Sequence, residues 1–307
     1  MNRDSGITVV DVAPPEGDGV RVRIRSASIC ATDLSLAKAG PLPVILGHEM
    51  AGELEDGRAV AIEPIVPCEN CTQCRLGAYH RCKLGRASGL GLGRDGGMAE
   101  FIRVPPRCLV PLPAGVRIED ACLVEPLAVV LHGLRLAELE RAQRVLVIGG
   151  GSIGLLAVGA VCAFGCEVAL AARYPHQRER GKVLGASEVD GKYDVVIDCA
   201  GSESALEQAC ELARAGGTLL LLSVYWDKLI LPGMRVCLKE LRILGSMTYN
   251  CHATGRDVDG AAALLARHPE LATAIVTHRF SLEQARVAFQ TAGDRAAGAV
   301  KVVLHPD

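Results

Sequence analysis

The stretch Val145-Leu146-Val147-Ile148-Gly149-Gly150-Gly151-Ser152-Ile153-Gly154 decides how this chain is read. Four aliphatic residues in a row have the character of a strand buried on both faces. The glycines behind them match G-x-G-x-x-G and lead into an apolar helical pattern. That strand–turn–helix context turns a weak motif into a dinucleotide fingerprint rather than an ordinary glycine-rich turn. Gly149 permits the tight turn, Gly151 lets backbone approach a pyrophosphate, and Gly154 allows close packing of helix on strand. Ser152 and Ile153 are expected to bind the cofactor too, and the helix behind the fingerprint has unpaired N–H groups and a positive dipole end that favour phosphate. Val145 to Cys166 carry no charge and could mislead a hydropathy scan, but six glycines divide the stretch and argue against a membrane span.

Downstream, apolar runs alternate with helical patterns. Glu167–Ala171, Asp194–Asp198 and Thr218–Leu222 read as strands. Helices are expected over 155–164, through Lys182–Leu184, and over 203–213. This alternation means βαβ units and a doubly wound parallel sheet, an α/β fold. An acidic residue about 20 positions after the fingerprint would hold a ribose 2′-hydroxyl. The second strand ends instead in Ala171-Ala172-Arg173, with no carboxylate before Glu179. Arg173, with help from Arg178, suits a 2′-phosphate, which favours NADP(H) over NAD(H). The plain alternative is a pair of solvated arginines.

Upstream the texture differs. Val20-Arg21-Val22-Arg23-Ile24-Arg25 alternates at period two, and Gly and Pro recur through the first 125 residues, so this part is expected to be β-rich. The tail, 250–307, gives one or two helices and a last strand, Val300–Leu304. The 307 residues carry a formal charge of −2, which offers no footprint for nucleic acid or an anionic membrane. Met1-Asn2-Arg3-Asp4-Ser5-Gly6 shows no leader pattern, and a cytoplasmic location is expected. In a reducing compartment clustered cysteines are metal ligands before they are disulfides. Cys122, Cys162, Cys166, Cys199, Cys210 and Cys237 are dispersed among apolar residues and read as core.

The cluster is Cys68-x2-Cys71-x2-Cys74-x7-Cys82. Four thiolates at this spacing can close a tetrahedral shell around one zinc, leaving no position for substrate, so such a zinc is structural. A zinc-ribbon nucleic-acid module is the disfavoured alternative, because the chain as a whole is not basic. A second constellation is scattered: Cys30 in Cys30-Ala31-Thr32-Asp33, Gly47-His48-Glu49, and Glu125-Pro126. Singly each is weak; together they form a Cys/His/Glu set able to bind zinc with one position open.

As a set these residues resemble the zinc-dependent medium-chain alcohol and polyol dehydrogenases of the sorbitol and threonine dehydrogenase type, over nearly the whole chain. Cys30–Asp33 and Gly47–Glu49 resemble the first two ligand segments, and Glu125-Pro126-Leu127-Ala128 the third, as found in the polyol branch. Cys68–Cys82 resembles the structural zinc lobe, Asp95–Glu100 the turn after it, and Lys239–Ser246 the end of the cofactor domain. The resemblance implies a β-rich GroES-like catalytic domain, 1–125 and 250–307, with its zinc lobe at about 67–83, plus a Rossmann cofactor domain, 126–249. It implies two zinc ions. Cys30, His48 and Glu125 would ligate the catalytic one, with Glu49 ligating directly or through water. Asp33 would orient His48, and Thr32 would carry the first proton-relay hydroxyl. The implied reaction moves a hydride between a secondary alcohol, with a leaning to polyols or amino-polyols, and the nicotinamide. The implied assembly is a homodimer or homotetramer.

This chain departs from the family pattern in three places. Ser35 stands where many members carry a relay histidine. The Gly47–Pro67 stretch looks shortened by a hairpin, and the opening strand looks missing. Two other readings stay open: a quinone-type reductase keeping only the structural zinc, and a non-catalytic dinucleotide sensor.

Overall fold

In the computed structural model, residues 6–40, 42–225 and 228–306 are described; Met1–Ser5, on which the leader reading rests, lie outside them. The chain begins with strand β1 (Val20–Ser28), whose Val22 and Ile24 point into the core while Arg23 faces out, as the alternation predicts. Helix α1 (Ala31–Ala39) follows. Strands β2 (Glu49–Glu53) and β3 (Ala59–Ile62) then form a direct hairpin. Two single-turn helices, α2 (Thr72–Arg75) and α3 (Lys83–Ala87), interrupt a long loop before β4 (Phe101–Val104) and β5 (Leu109–Pro111).

Helix α4 (Val124–Leu136) comes next, with Pro126 in its first turn, where a missing N–H costs nothing. Then β6 (Arg144–Ile148), α5 (Ser152–Ala163), β7 (Glu167–Ala171), α6 (Pro175–Val183), β8 (Tyr193–Asp198), α7 (Glu203–Leu212) and β9 (Ala213–Leu221) alternate. Helix α8 (Gly233–Leu238) and β10 (Arg242–Gly245) complete this part. The return segment holds the short pair β11 (Cys251–His252) and β12 (Gly255–Arg256), helices α9 (Asp257–Arg267) and α10 (Glu270–Ile275), β13 (Val276–Ser281), α11 (Ala285–Gly293) and β14 (Lys301–His305).

The chain divides into two units, Met1–Glu125 with Asn250–Asp307, and Pro126–Tyr249. In the first, a seven-stranded sheet runs β13-β14-β1-β2-β3-β5, with β4 also on β1. A bulge between Ile24 and Ser26 lies where β1 changes partners, from β4 at Val20–Arg23 to β14 at Ala27 and Ser28. Val22, Ile24, Met50, Ile62, Ile102 and Val104 form a core cluster of this unit.

In the second unit the sheet is parallel throughout, ordered β10-β9-β8-β6-β7. Ser187 bridges to Ala169 beyond β7. Leu146, Val196 and Leu219 are fully buried at the centre, each contributing about 1.5–3 kcal/mol by its burial. Gly154 through Val161 of α5 are all buried, which is why its sequence is apolar all round. Among the described residues no helix is long and apolar enough to cross a membrane.

Three expectations need correction. Helix α5 starts at Ser152, three residues early, because the helix begins at the fingerprint itself. Among its described residues the tail holds three α-helices rather than one or two; α10 has only six residues, too few to show a period. Cys237 is exposed on α8, where Met234 and Leu238 also face solvent while Val236 packs on the core.

Candidate metal centres and dinucleotide site

The loop after β3 folds back so that the sulfurs of Cys68, Cys71, Cys74 and Cys82 all lie within 4.8 Å of one another. Cys71 Sγ and Cys74 Sγ are 3.4 Å apart, and Cys68 Sγ and Cys74 Sγ 3.9 Å. Four sulfurs at about 2.3 Å from one zinc sit about 3.8 Å apart, so the cluster is already close to a tetrahedral shell. The amide N–H groups of Cys68 and Gly85 both point at Cys82 Sγ, and this lowers the Cys82 thiol to about 6. Burial and the neighbouring sulfurs push Cys74 up to about 12. The lobe is anchored by the fully buried Glu63, which pairs with Arg107 at 3.4 Å and Arg256 at 3.1 Å. Arg256 also donates to the carbonyls of Arg107 and Leu109, tying α9 to the loop's base.

The second cluster brings together Cys30, His48 and Glu49, again within 4.8 Å. Cys30 immediately precedes α1. Its N–H donates to Asp33 Oδ2 at 2.8 Å, while Asp33 Oδ1 lies 3.3 Å from His48 Nδ1. One buried carboxyl thus holds both segments and leaves His48 Nε2 as the nitrogen to meet a metal. Burial alone would lower the His48 pKa, but the charge of the Asp33 carboxylate 3.3 Å away, with Cys30, holds it well above the usual value. His48 is placed by Gly47, at φ +101°, where a Cβ would stand 2.7 Å from Met98 Cγ. Gly97 and Met98 N–H groups brace that loop by donating to the Gly47 and Leu46 carbonyls.

Glu49 is engaged on its other side. Lys301 Nζ lies 2.9 Å from Oε1 and 2.6 Å from Oε2, and Ser28 Oγ donates to Oε2. Burial would depress Lys301, but the Glu49 charge overrides it and raises the ammonium to about 12. Glu125 is buried in the first turn of α4 and stands outside the cluster of three. Thr32 is half-buried on α1, and Ser35 Oγ turns back to donate to the Ala31 carbonyl at 3.0 Å. A thiol, an imidazole and carboxyls make a donor set that suits zinc.

In the second unit, Gly149 adopts φ +107° and its turn packs on Cys199–Ala200, where a Cβ would stand 2.9 Å from the Ala200 nitrogen. A Cβ on Gly154 would collide with Gly149 O at 1.8 Å, whereas Gly151 has nothing within 4 Å of that position. The loop is closed beneath and open above, as a cradle for a diphosphate requires. Arg173 is exposed at the end of β7. Arg178 Nη1 donates to the Ala172 and Arg173 carbonyls at 2.8 and 3.0 Å, bracing the Arg173 backbone.

Sequence reasoning overlooked Lys301, Ser28, Asp198 and Tyr225. Lys301 left one signal, a single charge in the otherwise apolar Val300–Leu304.

The alcohol dehydrogenase GroES-like domain model matches residues 16–114, and the zinc-binding dehydrogenase model matches 152–267. Galactitol 1-phosphate 5-dehydrogenase of Escherichia coli K12 is 30% identical, over 99% of this chain and 98% of that protein. The crystal structure of a zinc-binding dehydrogenase from Sinorhizobium meliloti 1021 bound to NADP superposes with a TM-score of 0.87 at 30% identity, covering 99% of this chain and 97% of the other. L-idonate 5-dehydrogenase of E. coli K-12 gives 0.85 at 27% identity, covering 94% and 91%.

Proposed function

The chain belongs to the zinc-dependent medium-chain alcohol and polyol dehydrogenases and is an NAD(P)-dependent oxidoreductase, and on that premise we propose its substrate, cofactor preference and site assignments. The substrate is a secondary alcohol of a polyol or amino-polyol, interconverted with the ketone. Relatives named for galactitol 1-phosphate and L-idonate support the polyol class. The observation that carries the reading is the Cys30–His48–Glu49 cluster, in a chain that also holds the dinucleotide fingerprint.

Cys30, His48 and Glu125 hold the catalytic zinc, and Asp33 orients His48. Glu49 is the adjacent carboxylate, already engaged by Lys301 and Ser28. Cys68, Cys71, Cys74 and Cys82 hold a second, structural zinc. A zinc held by these residues would supply Lewis acidity, which makes a substrate hydroxyl easier to deprotonate. Thr32 Oγ1 would accept that proton while passing its own hydroxyl proton onward, and a bound nicotinamide would supply the hydride acceptor. Ser35 Oγ donates to the Ala31 carbonyl, so proton exit from Thr32 falls to water or another group.

NADP(H) is preferred over NAD(H) through Arg173, with Arg178 holding the loop; the NADP-bound relative supports this. The enzyme works in the cytoplasm as a homodimer or homotetramer. β10 ends the sheet, and α8 exposes Met234 at 75% and Leu238 at 77%, which supports pairing of two copies through this edge.

Zinc analysis tests the assignments. Wild type should carry two zinc ions per chain, Cys30→Ser about one with turnover lost, and Glu125→Ala should lose turnover with its fold intact. One zinc in wild type and unchanged activity in Cys30→Ser would favour the quinone-type reductase. Tight dinucleotide binding without turnover on any alcohol would favour the sensor.

A further inference from the structure

In the second unit, the fully buried Asp198 ends β8 and gathers two separate loops. Its Oδ1 accepts from Ala200 N–H at 3.2 Å, and its Oδ2 from Gly201 N–H at 3.2 Å and from the Tyr225 hydroxyl at 2.5 Å. Its backbone carbonyl accepts from Leu222 and Ser223 N–H, at 2.9 and 3.2 Å. The loop leaving β8 and the loop leaving β9 are therefore clasped by one carboxyl. Gly201, at φ +67°, brings them close, since a Cβ there would stand 3.1 Å from Ser223 Cβ. Burial and the hydrogen bond to Asp198 hold the Tyr225 phenol protonated, so it is the donor.

The order of strands says what these loops face. β6 is flanked by β7 on one side and β8 on the other, so the switch in connection direction, where open parallel sheets bind ligands, falls between β6 and β8. The diphosphate belongs at the N-terminus of α5 after β6, and Arg173 marks the ribose-phosphate side at the end of β7. The other half of the dinucleotide then lies over the ends of β8 and β9, where Asp198 and Tyr225 meet. The same Cys199–Ala200 turn that Asp198 holds also backs Gly149, so the clasp adjoins the phosphate cradle.

We propose that Tyr225 and Asp198 form a latch that positions the nicotinamide half of the bound cofactor by fixing the Ala200–Gly201 and Ser223–Tyr225 segments against each other. Neither side chain needs to touch the cofactor; both act through backbone they hold. The proposal rests on the dinucleotide reading of this site.

The test measures dissociation constants of NADPH, NADH and ADP-ribose for the wild-type enzyme and for Tyr225→Phe, which keeps the ring and removes only the donor. The expected result is about tenfold weaker binding of the preferred reduced cofactor, the size of one lost hydrogen bond to a charged group. ADP-ribose, which lacks nicotinamide, should bind unchanged. Equal weakening of all three would mean a general structural brace, and no weakening would mean no latch; each overturns the proposal. A wild-type enzyme that bound none of the three would instead remove the premise.

Discussion

Lys301 and Glu49 form a buried ion pair across 252 residues of chain, Nζ to Oε2 at 2.6 Å, with each side chain about 1% exposed. The pair joins the last strand of the first unit to the segment carrying His48. Ser28, on β1 between them in the sheet, adds a hydroxyl to the same carboxyl. Removing one member strands the other's charge away from water, which costs more than the intact pair contributes.

Lys301→Met should therefore lower unfolding stability by about 3–5 kcal/mol, measured by denaturant titration. Adding Glu49→Gln should restore part of that loss, because the orphaned charge is then gone. If Lys301→Met unfolded at the wild-type midpoint, the pair would carry no stability.

Zinc uptake by the four-cysteine lobe should depend on pH in two regimes. Every ligand must be a thiolate, so each proton still bound at a given pH has to be displaced. The Cys82 thiol sits at about 6, held there by the Cys68 and Gly85 amides. Above that pH it costs no proton; below it one more must leave, so the slope of log affinity against pH should steepen by about one unit on descending through 6. The same depressed pKa means that, in the zinc-free lobe, the stabilisation of this thiolate is present above the unfolded value and fades as pH falls through about 6. Competition with a chromophoric chelator across pH 5 to 8 measures the slope; a constant slope would place Cys82 with the other thiols.

Arg173→Asp should weaken NADPH by about tenfold to a hundredfold, the range of a lost charge-assisted hydrogen bond, and leave NADH nearly unchanged. Fluorescence titration of both cofactors reads this directly. Equal effects on both would make Arg173 a solvated surface residue.

What could be read before folding was what lies close along the chain. The Val145–Gly154 fingerprint, the Glu167–Ala171 strand and the four cysteines are local patterns whose spacing already states their geometry. Helix α1 was hidden inside a segment read as β-rich, because its nine residues mix polar and apolar positions without a clear face. Edge strand β10 was legible only as a family segment; at four residues it shows no alternation to read. The pairs Lys301–Glu49 and Tyr225–Asp198 depend on strands that meet only after the sheets form, so neither has a signature in spacing. The engagement of Glu49 by Lys301 and Ser28, and the return of Ser35 to its own helix, are the details of the site that needed the fold.

The most direct measurement is formation of reduced nicotinamide by the zinc-replete enzyme over a panel of polyols, amino-polyols, simple secondary alcohols and threonine, each with NADP⁺ and NAD⁺. The expected result is turnover with a polyol or amino-polyol, faster with NADP⁺ than NAD⁺, and abolished by Cys30→Ser. No reduced nicotinamide with any alcohol and either cofactor, from a protein carrying two zinc ions, would contradict it.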